Sequence, residues 1–351
     1  MKVALFTLGG TIASTGPAAG GVTPRLTGAD LLTSVPGLER TGAEVMVHDF
    51  RQVPSSSLTI DDILGLAAAI RDQTSPDGDG AGVDGVVVSQ GTDTIEETSF
   101  LLDLVYDGDA PVVFTGAMRN PALAGADGPA NLLAAVTVAA APQVRGLGVL
   151  VVLGDELHAA RFVRKAHTTS VTAFVSPPAG PLGFVAEGRV VVLTRPDRRP
   201  PLPLLTARPS LPSRALPPRG QAVRTGVVTM VLGDDGALLK AAASGCDGLV
   251  VAGYGAGHVP AAVVDQLDRV ARRIPVVLAS RTGAGTVLAR TYDYPGSERD
   301  LRDRGLIGAG FLDPLKARLL LHLLLTAGAT RDEIAAGFAA TGADSGHTQR
   351  S

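Results

Sequence analysis

At 351 residues the chain is longer than one hydrophobic core ordinarily grows, which points to two domains. Apolar residues make up 45% of it and charged residues 19%, a balance that excludes wholesale disorder. With 31 basic and 34 acidic residues the formal charge is −3, so no global field favours nucleic acid or an anionic membrane surface, and a small-molecule partner is expected.

The chain opens on the apolar run KVALFTL, residues 2–8. It has no separate charged leader, long apolar stretch and cleavage site, so it reads as the first strand of a cytoplasmic protein rather than a secretory signal. Helix DDILGLAAAIRD (61–72), strand DGVVVSQ (84–90), helix IEETSFLLDLVY (95–106), strand APVVFTG (110–116), helix GPANLLAAVTVAAA (128–141) and strand GVLVVLG (148–154) follow. Continuously apolar strands alternating with helices are the pattern of a parallel sheet covered on both faces. The expectation is an α/β fold, with a larger N-terminal domain of parallel type over residues 1–194.

From 195 to 222 the chain is rich in proline and arginine, and prolines oppose both helix interiors and central strands, so this stretch reads as a linker. The alternation resumes in TGVVTMVLG (225–233), DGALLKAAASG (235–245), DGLVVAGYG (247–255), AAVVDQLDRVARR (261–273) and IPVVLAS (274–280). With a very apolar helix near 314–327 these make a smaller C-terminal α/β domain over residues 223–340. That helix contains Lys316, Arg318 and His322 and falls short of the about 20 apolar residues a bilayer crossing needs, so it reads as buried. Thr330 and Glu333 have the spacing of a capping box for a last helix, and 341–351 read as a flexible tail. Cys246, the single cysteine, has no internal partner and reads as an inert thiol at a helix-to-strand turn.

Ligands of open α/β sheets bind beyond the carboxyl ends of the strands, so reactive groups are sought there. Gly9 and Gly10 let the backbone turn tightly after the first strand and present Thr11. Strand DGVVVSQ ends at Gly91 and delivers Thr92 and Asp93 just ahead of a helix, where Thr92, Asp93 or Thr94 also suits an N-cap. Two hydroxyls facing one crevice suit acyl transfer through a covalent threonine intermediate. After the fourth strand, Lys165 in DELHAARFVRKAHTT would, if it reached that crevice, draw a proton from Thr92 while Asp93 held its ammonium. Gly116, Ala117 and Met118 could offer backbone groups to a polar substrate.

Taken in order, TLGGTIAS, SQGTDTIEET, FTGAMRNP with ADGPANL, and VRKAHTT resemble the bacterial-type L-asparaginases. The resemblance continues through LASRTGAG, YDYPGS and GFLDPLKARLLLHLLLT and so covers nearly the whole chain. It implies hydrolysis of the side-chain amide of L-asparagine to L-aspartate and ammonia through a threonine acyl-enzyme, with glutamine as a minor substrate. Thr11 is then similar to the family's mobile-loop threonine, and Thr92, Asp93 and Lys165 to its second catalytic cluster. Gly10, Gly91 and Ala117 would line the substrate site with Thr92 and Asp93. Asp93 would take the substrate's ammonium and Ser56 its α-carboxylate, and Ser57 stands where some relatives have glutamine. No metal or organic cofactor is implied.

The resemblance also implies a homodimer or homotetramer whose sites are completed by the C-terminal domain of a neighbouring chain, with Tyr292 or Tyr294 as the contributed group. Two departures stand out. The stretch TGPAAGGVTPRLTGADLL (15–32) has no tyrosine where well-known members place one, and Gly255-Ala256-Gly257-His258 lacks an asparagine that relatives often carry.

Other readings fare worse. GYGAGH has the spacing GxGxG rather than GxGxxG, against a dinucleotide enzyme. His158 and His167 with Asp155 and Glu156 lack zinc-helix spacing and read as turn and surface residues. A non-catalytic subunit or amino-acid-binding protein supporting an amidotransferase would call for an added partner-binding domain, which the sequence does not display.

Overall fold

The computed structural model describes residues 1–15, 21, 23–75, 82–177, 179–198 and 223–342. Two compact units divide it, Met1–Pro201 and Leu202–Ser351. Of the stretch read as a linker, residues 199–222 lie outside the described ones, as do 343–351 of the expected tail. Arg198 belongs to the first unit: it donates to the Gly108 and Tyr106 carbonyls at 2.7 and 3.0 Å.

The first unit contains strands β1 (Lys2–Thr7), β2 (Ser14–Thr15), β3 (Thr23–Pro24), β4 (Glu44–Asp49), β5 (Gly85–Ser89), β6 (Val112–Thr115), β7 (Val149–Leu153), β8 (Glu156–Ala159), β9 (Arg164–Lys165), β10 (Phe174–Val175), β11 (Gly183–Ala186) and β12 (Arg189–Val192). Its helices are α1 (Gly28–Thr33), α2 (Ile60–Thr74), α3 (Ile95–Val105) and α4 (Gly128–Ala139). The main sheet has the order β12-β11-β8-β7-β6-β5-β1-β4. From β4 to β7 every pairing is parallel.

Alternating side chains of those strands go to opposite faces. Val3, Leu5, Val87, Val113, Leu150 and Val152 share one core with Leu132, Ala135 and Val136 of α4. Ala4, Phe6, Val86, Val88, Val112 and Phe114 are buried as well and point the other way, where α3 packs on β6 and β7. Burial on both faces is why the strands read as unbroken apolar runs. Gly85 permits a close approach of β5 to the end of α4: a Cβ there would lie 2.0 Å from the Ala139 carbonyl oxygen.

The sheet is mixed, because β8, β11 and β12 extend it antiparallel beyond β7. Two tight turns cause this. Gly154 (φ 58°) and Asp155 (φ 65°) join β7 to β8, and Glu187 (φ 51°) and Gly188 (φ 69°) join β11 to β12. Two successive positive-φ residues match the right-handed strand twist and fold the chain back as hairpins. β4, at the other edge, is only partly buried, so its residues lack a continuous apolar signature.

The second unit holds β13 (Thr225–Thr229), β14 (Gly248–Gly253), β15 (Val276–Ser280) and β16 (Ile307–Gly308). Its helices are α5 (Ala237–Gly245), α6 (Val264–Ala271), α7 (Glu298–Asp303), α8 (Pro314–Thr326) and α9 (Arg331–Gly342). The four strands are parallel and stand in chain order. α8 packs on β13, β14 and β15 and buries Leu319, Leu320, Leu321, Leu323 and Leu324. The Thr330–Glu333 capping box forms: Glu333 Oε2 accepts from the Thr330 amide at 2.8 Å and its hydroxyl at 3.0 Å. Cys246 follows α5 on the way to β14, and burial pushes its thiol pKa up.

Candidate active site

In the parallel part of the large sheet, β1 leads to its neighbour β4, and the chain then crosses to the opposite side of β1 to form β5, β6 and β7 in turn. The direction of strand addition reverses between β1 and β5. At such a point the two outgoing loops diverge and leave a crevice at the carboxyl ends of the strands. The loops that leave β1 and β5 carry Thr11 and Thr92.

Those loops touch backbone to backbone. Gly10 has φ 85°, a conformation only glycine adopts freely, and a Cβ on it would lie 2.0 Å from the Gly91 nitrogen. Thr11 and Thr92 therefore leave one shared point. A Cβ on Gly91 would sit 2.7 Å from Ser55 Oγ, and one on Gly116 would sit 2.6 Å from the Gln90 carbonyl oxygen and 3.2 Å from Thr92 Cγ2. The exits of β4, β1, β5 and β6 thus close around one place. At its far side Asp49 Oδ1 accepts from the Thr7 hydroxyl at 2.7 Å and the Gly28 amide at 2.9 Å, tying β1, β4 and α1 together.

Thr11 is half-buried and opens a single turn of 3-10 helix, Thr11–Ala13. The Gly10 carbonyl behind it accepts from the Ala13 amide at 3.1 Å and the Ser14 hydroxyl at 2.8 Å. Among the described residues the Thr11 hydroxyl has no hydrogen-bond partner. Thr92 is buried. Its Oγ1 accepts from Lys165 Nζ at 2.9 Å, and Asp93 Oδ1 accepts from the same nitrogen at 2.8 Å. The Lys165 side chain is 15% exposed while that of Asp93 is 69% exposed, so the carboxylate stands at the mouth and the amine below it. The amides of Gly91, Thr92 and Asp93 have no acceptor among the described residues, which leaves N–H groups in the turn that bears Thr92 and touches Gly10.

Thr94 occupies the N-cap position of α3, yet its hydroxyl makes no capping bond and donates instead to the Ser55 carbonyl at 3.2 Å. The Ser55 loop is thereby held to the Thr92 turn. Ser55 is buried, whereas Ser56, the expected carboxylate binder, and Ser57, expected beside it in the substrate site, are exposed. Ser55 is the member of the triplet against Gly91, and three identical neighbours gave no sequence signal to separate it from the others. Buried Gln90, whose Oε1 accepts from Thr98 Oγ1 at 3.0 Å, is a further support.

Ala117 is fully buried beside this place, in a loop fixed by Asp127, the N-cap of α4, and by Asn131 within that helix. Asp127 accepts from the Met118 and Arg119 amides at 2.9 and 2.8 Å, and Asn131 Nδ2 donates to the Gly116 carbonyl at 3.0 Å. These sequence-distant ties were not foreseen.

In the second unit, Tyr292 and Tyr294 are 43% and 47% exposed and flank His258, with ring centroids 4.9 and 5.5 Å from the imidazole. Beneath them Glu298 is fully buried. Burial alone would raise its pKa, but the Tyr292 and Thr291 amides on Oε1, at 2.9 and 2.8 Å, and His258 on Oε2 hold it below the usual value. An ionised carboxylate only accepts, so His258 Nε2 carries the proton across the 3.1 Å contact. The Tyr294 hydroxyl lies within hydrogen-bond distance of His258 Nδ1, at 3.1 Å.

The reading of His158 as a turn or surface residue is corrected. It lies on β8, 1% exposed, with Nδ1 2.9 Å from the buried Ser176 hydroxyl. Its Nε2 is 3.3 Å from Glu156 but lacks hydrogen-bond geometry, so proximity rather than a formed bond describes that contact. Burial lowers its pKa to about 4, and the ring is neutral at pH 7. His167 is exposed and accepts from the Thr169 and Ser170 amides. No described helix is long and apolar enough to cross a membrane.

Hydroxyls and an amine thus gather at the switch point of the parallel part of the sheet, a set of groups suited to acyl transfer. Residues 2–198 match the family model "Asparaginase, N-terminal", and residues 224–338 match "Glutaminase/Asparaginase C-terminal domain". The chain belongs to the asparaginase family. It is 39% identical to a "Probable L-asparaginase" of Deinococcus radiodurans, over 95% of each chain. To a "Glutaminase-asparaginase" of Pseudomonas fluorescens it is 32% identical, over 93% of this chain and 86% of the relative. The crystal structure titled a probable cytoplasmic L-asparaginase from Campylobacter jejuni superposes with a TM-score of 0.82 at 30% identity, covering 96% of this chain and 98% of the other.

Proposed function

We propose that the chain is a cytoplasmic L-asparaginase that hydrolyses the side-chain amide of L-asparagine to L-aspartate and ammonia. The observation that carries this reading is Lys165 Nζ bridging Thr92 and Asp93 next to the Gly10–Gly91 contact that sets Thr11 beside them.

Thr11, half-buried and without a hydrogen-bond partner among the described residues, is the acyl carrier. Its oxygen bonds to the amide carbonyl carbon, and the N–H groups around Gly91, Thr92 and Asp93 receive the developing oxyanion. As the C–N bond breaks, the Thr11 proton ends on the leaving nitrogen, relayed by Thr92 and Lys165. Water then adds to the ester, the Thr11–carbon bond breaks, and one water proton returns to Thr11. Asp93, at the mouth, takes the substrate's ammonium, and the serine loop at 55–57 takes its α-carboxylate. Glutamine is a minor substrate, because one methylene separates the two amides by only about 1–3 kcal/mol.

Tyr292 and Tyr294 complete the site of a neighbouring copy in a homodimer or homotetramer. Mixing inactive Thr11→Ala chains with weakened Tyr294→Phe chains is expected to restore part of the activity, and failure to do so would remove both tyrosines from the site.

The deciding experiment is ammonia release by the purified chain alone from each amide. Thr11→Ala and Thr92→Val should each lower kcat by about 10³-fold or more with the fold retained. No release across a broad pH range by the wild-type chain would favour a subunit that supports another enzyme.

A further inference from the structure

We infer that Glu96 is a positioning residue that sets Lys165 against Thr92, an inference that rests on the role given to Lys165 above. β9, which carries Lys165, is two residues long, pairs only with the equally short β10 and has no place in the eight-stranded sheet. Sheet hydrogen bonding therefore does not fix where Lys165 stands relative to the turn after β5.

A side chain does so. The Ala166 amide donates to Ala173 across the β9–β10 pair at 2.7 Å, but the Lys165 amide points away from β10 and donates to Glu96 Oε2 at 3.2 Å. Glu96 belongs to the first turn of α3, directly behind Thr92 and Asp93. Its carboxylate thus joins the Lys165 backbone to the first turn of the helix that the Thr92–Asp93 turn leads into. The bond to Glu96 is made by the Lys165 backbone, so it holds the residue in place independently of what Nζ contacts. A misplacement of about 1 Å in such a constellation costs about 10²-fold in rate.

A purely structural role for Glu96 would be the favourable placement of negative charge at the α3 N-terminus, which Glu97 shares. Glu97→Ala is therefore the control. The test measures kcat, KM and melting temperature with L-asparagine for Glu96→Ala, Glu96→Gln, Glu97→Ala and Lys165→Met. Expected are a kcat loss of about 10–100-fold in Glu96→Ala with KM within about twofold, recovery of most of it in Glu96→Gln, which keeps an acceptor oxygen, and wild-type kcat in Glu97→Ala. Wild-type kcat in Glu96→Ala, no recovery in Glu96→Gln, or an equal loss in Glu97→Ala would overturn the inference. Full activity in Lys165→Met would instead overturn the role of Lys165 itself.

Discussion

Both units present the carboxyl edge of a parallel sheet, and the two edges differ in kind. In the first, strand addition reverses beside β1, and the loops after β1 and β5, in backbone contact at Gly10 and Gly91, carry Thr11 and Thr92 with Lys165 against the latter. In the second, among the described residues, β13 to β16 follow one another in a single direction without such a reversal. There the loops after β14 and β15 pack their polar groups on each other, with Glu298, His258 and Tyr294 in one hydrogen-bonded line and two tyrosines facing outward. Parallel strands with turn-forming residues are common to both edges; the order in which strands are added is what sets them apart.

The largest effect that would test this contrast is loss of the amine at the first edge. Lys165→Met should lower kcat by about 10²–10⁴-fold while the melting temperature stays within a few degrees. A variant that turned over asparagine normally would place the chemistry elsewhere.

Matched glycine substitutions sharpen the comparison. Gly10→Ala drives a Cβ into the Gly91 backbone and forces a positive φ on alanine, so it should cost about 3 kcal/mol or more and abolish turnover. Gly255, in the loop after β14, also has positive φ but meets nothing within 4 Å. Gly255→Ala should therefore cost only about 1 kcal/mol. Equal urea midpoints for the two variants would show that the first edge is not packed as described.

A smaller effect distinguishes the antiparallel extension of the first sheet. His158 titrates near 4 when folded and near the ordinary histidine value of 6.5 when unfolded, so below 6.5 the unfolded chain binds the extra proton. Stability should fall as pH drops from about 6.5 towards about 4, by at most about 1.4 kcal/mol per pH unit from this group. Urea titrations at several pH values should show that slope flattened in His158→Gln; an unchanged slope would assign it to other groups. Smallest of all, Thr330→Ala should remove about 1 kcal/mol through the α9 cap without altering kcat.

Much of the first edge was readable from the chain. Gly-Gly-Thr and Gly-Thr-Asp each follow an apolar run, and that local order places Thr11 and Thr92 beyond strand ends wherever the strands go. The antiparallel strands β8, β11 and β12 were missed because their signal lies in two-residue turns rather than in long apolar runs. His158 was misjudged because its burial depends on the hairpin that β8 forms, not on its neighbours in sequence.

By itself, then, the sequence determined what rests on neighbouring residues: apolar periodicity set the α/β class, threonine and glutamate three apart set the α9 cap, and glycine-threonine pairs marked the reactive turns. Tertiary structure alone decided which serine of three lies against Gly91, that the Thr94 hydroxyl leaves its own helix for Ser55, and that Lys165 and Glu96 meet across 69 residues of chain. Those outcomes depend on which strands become neighbours, a choice made by burying both faces of the whole sheet at once, and no local stretch of sequence contains it.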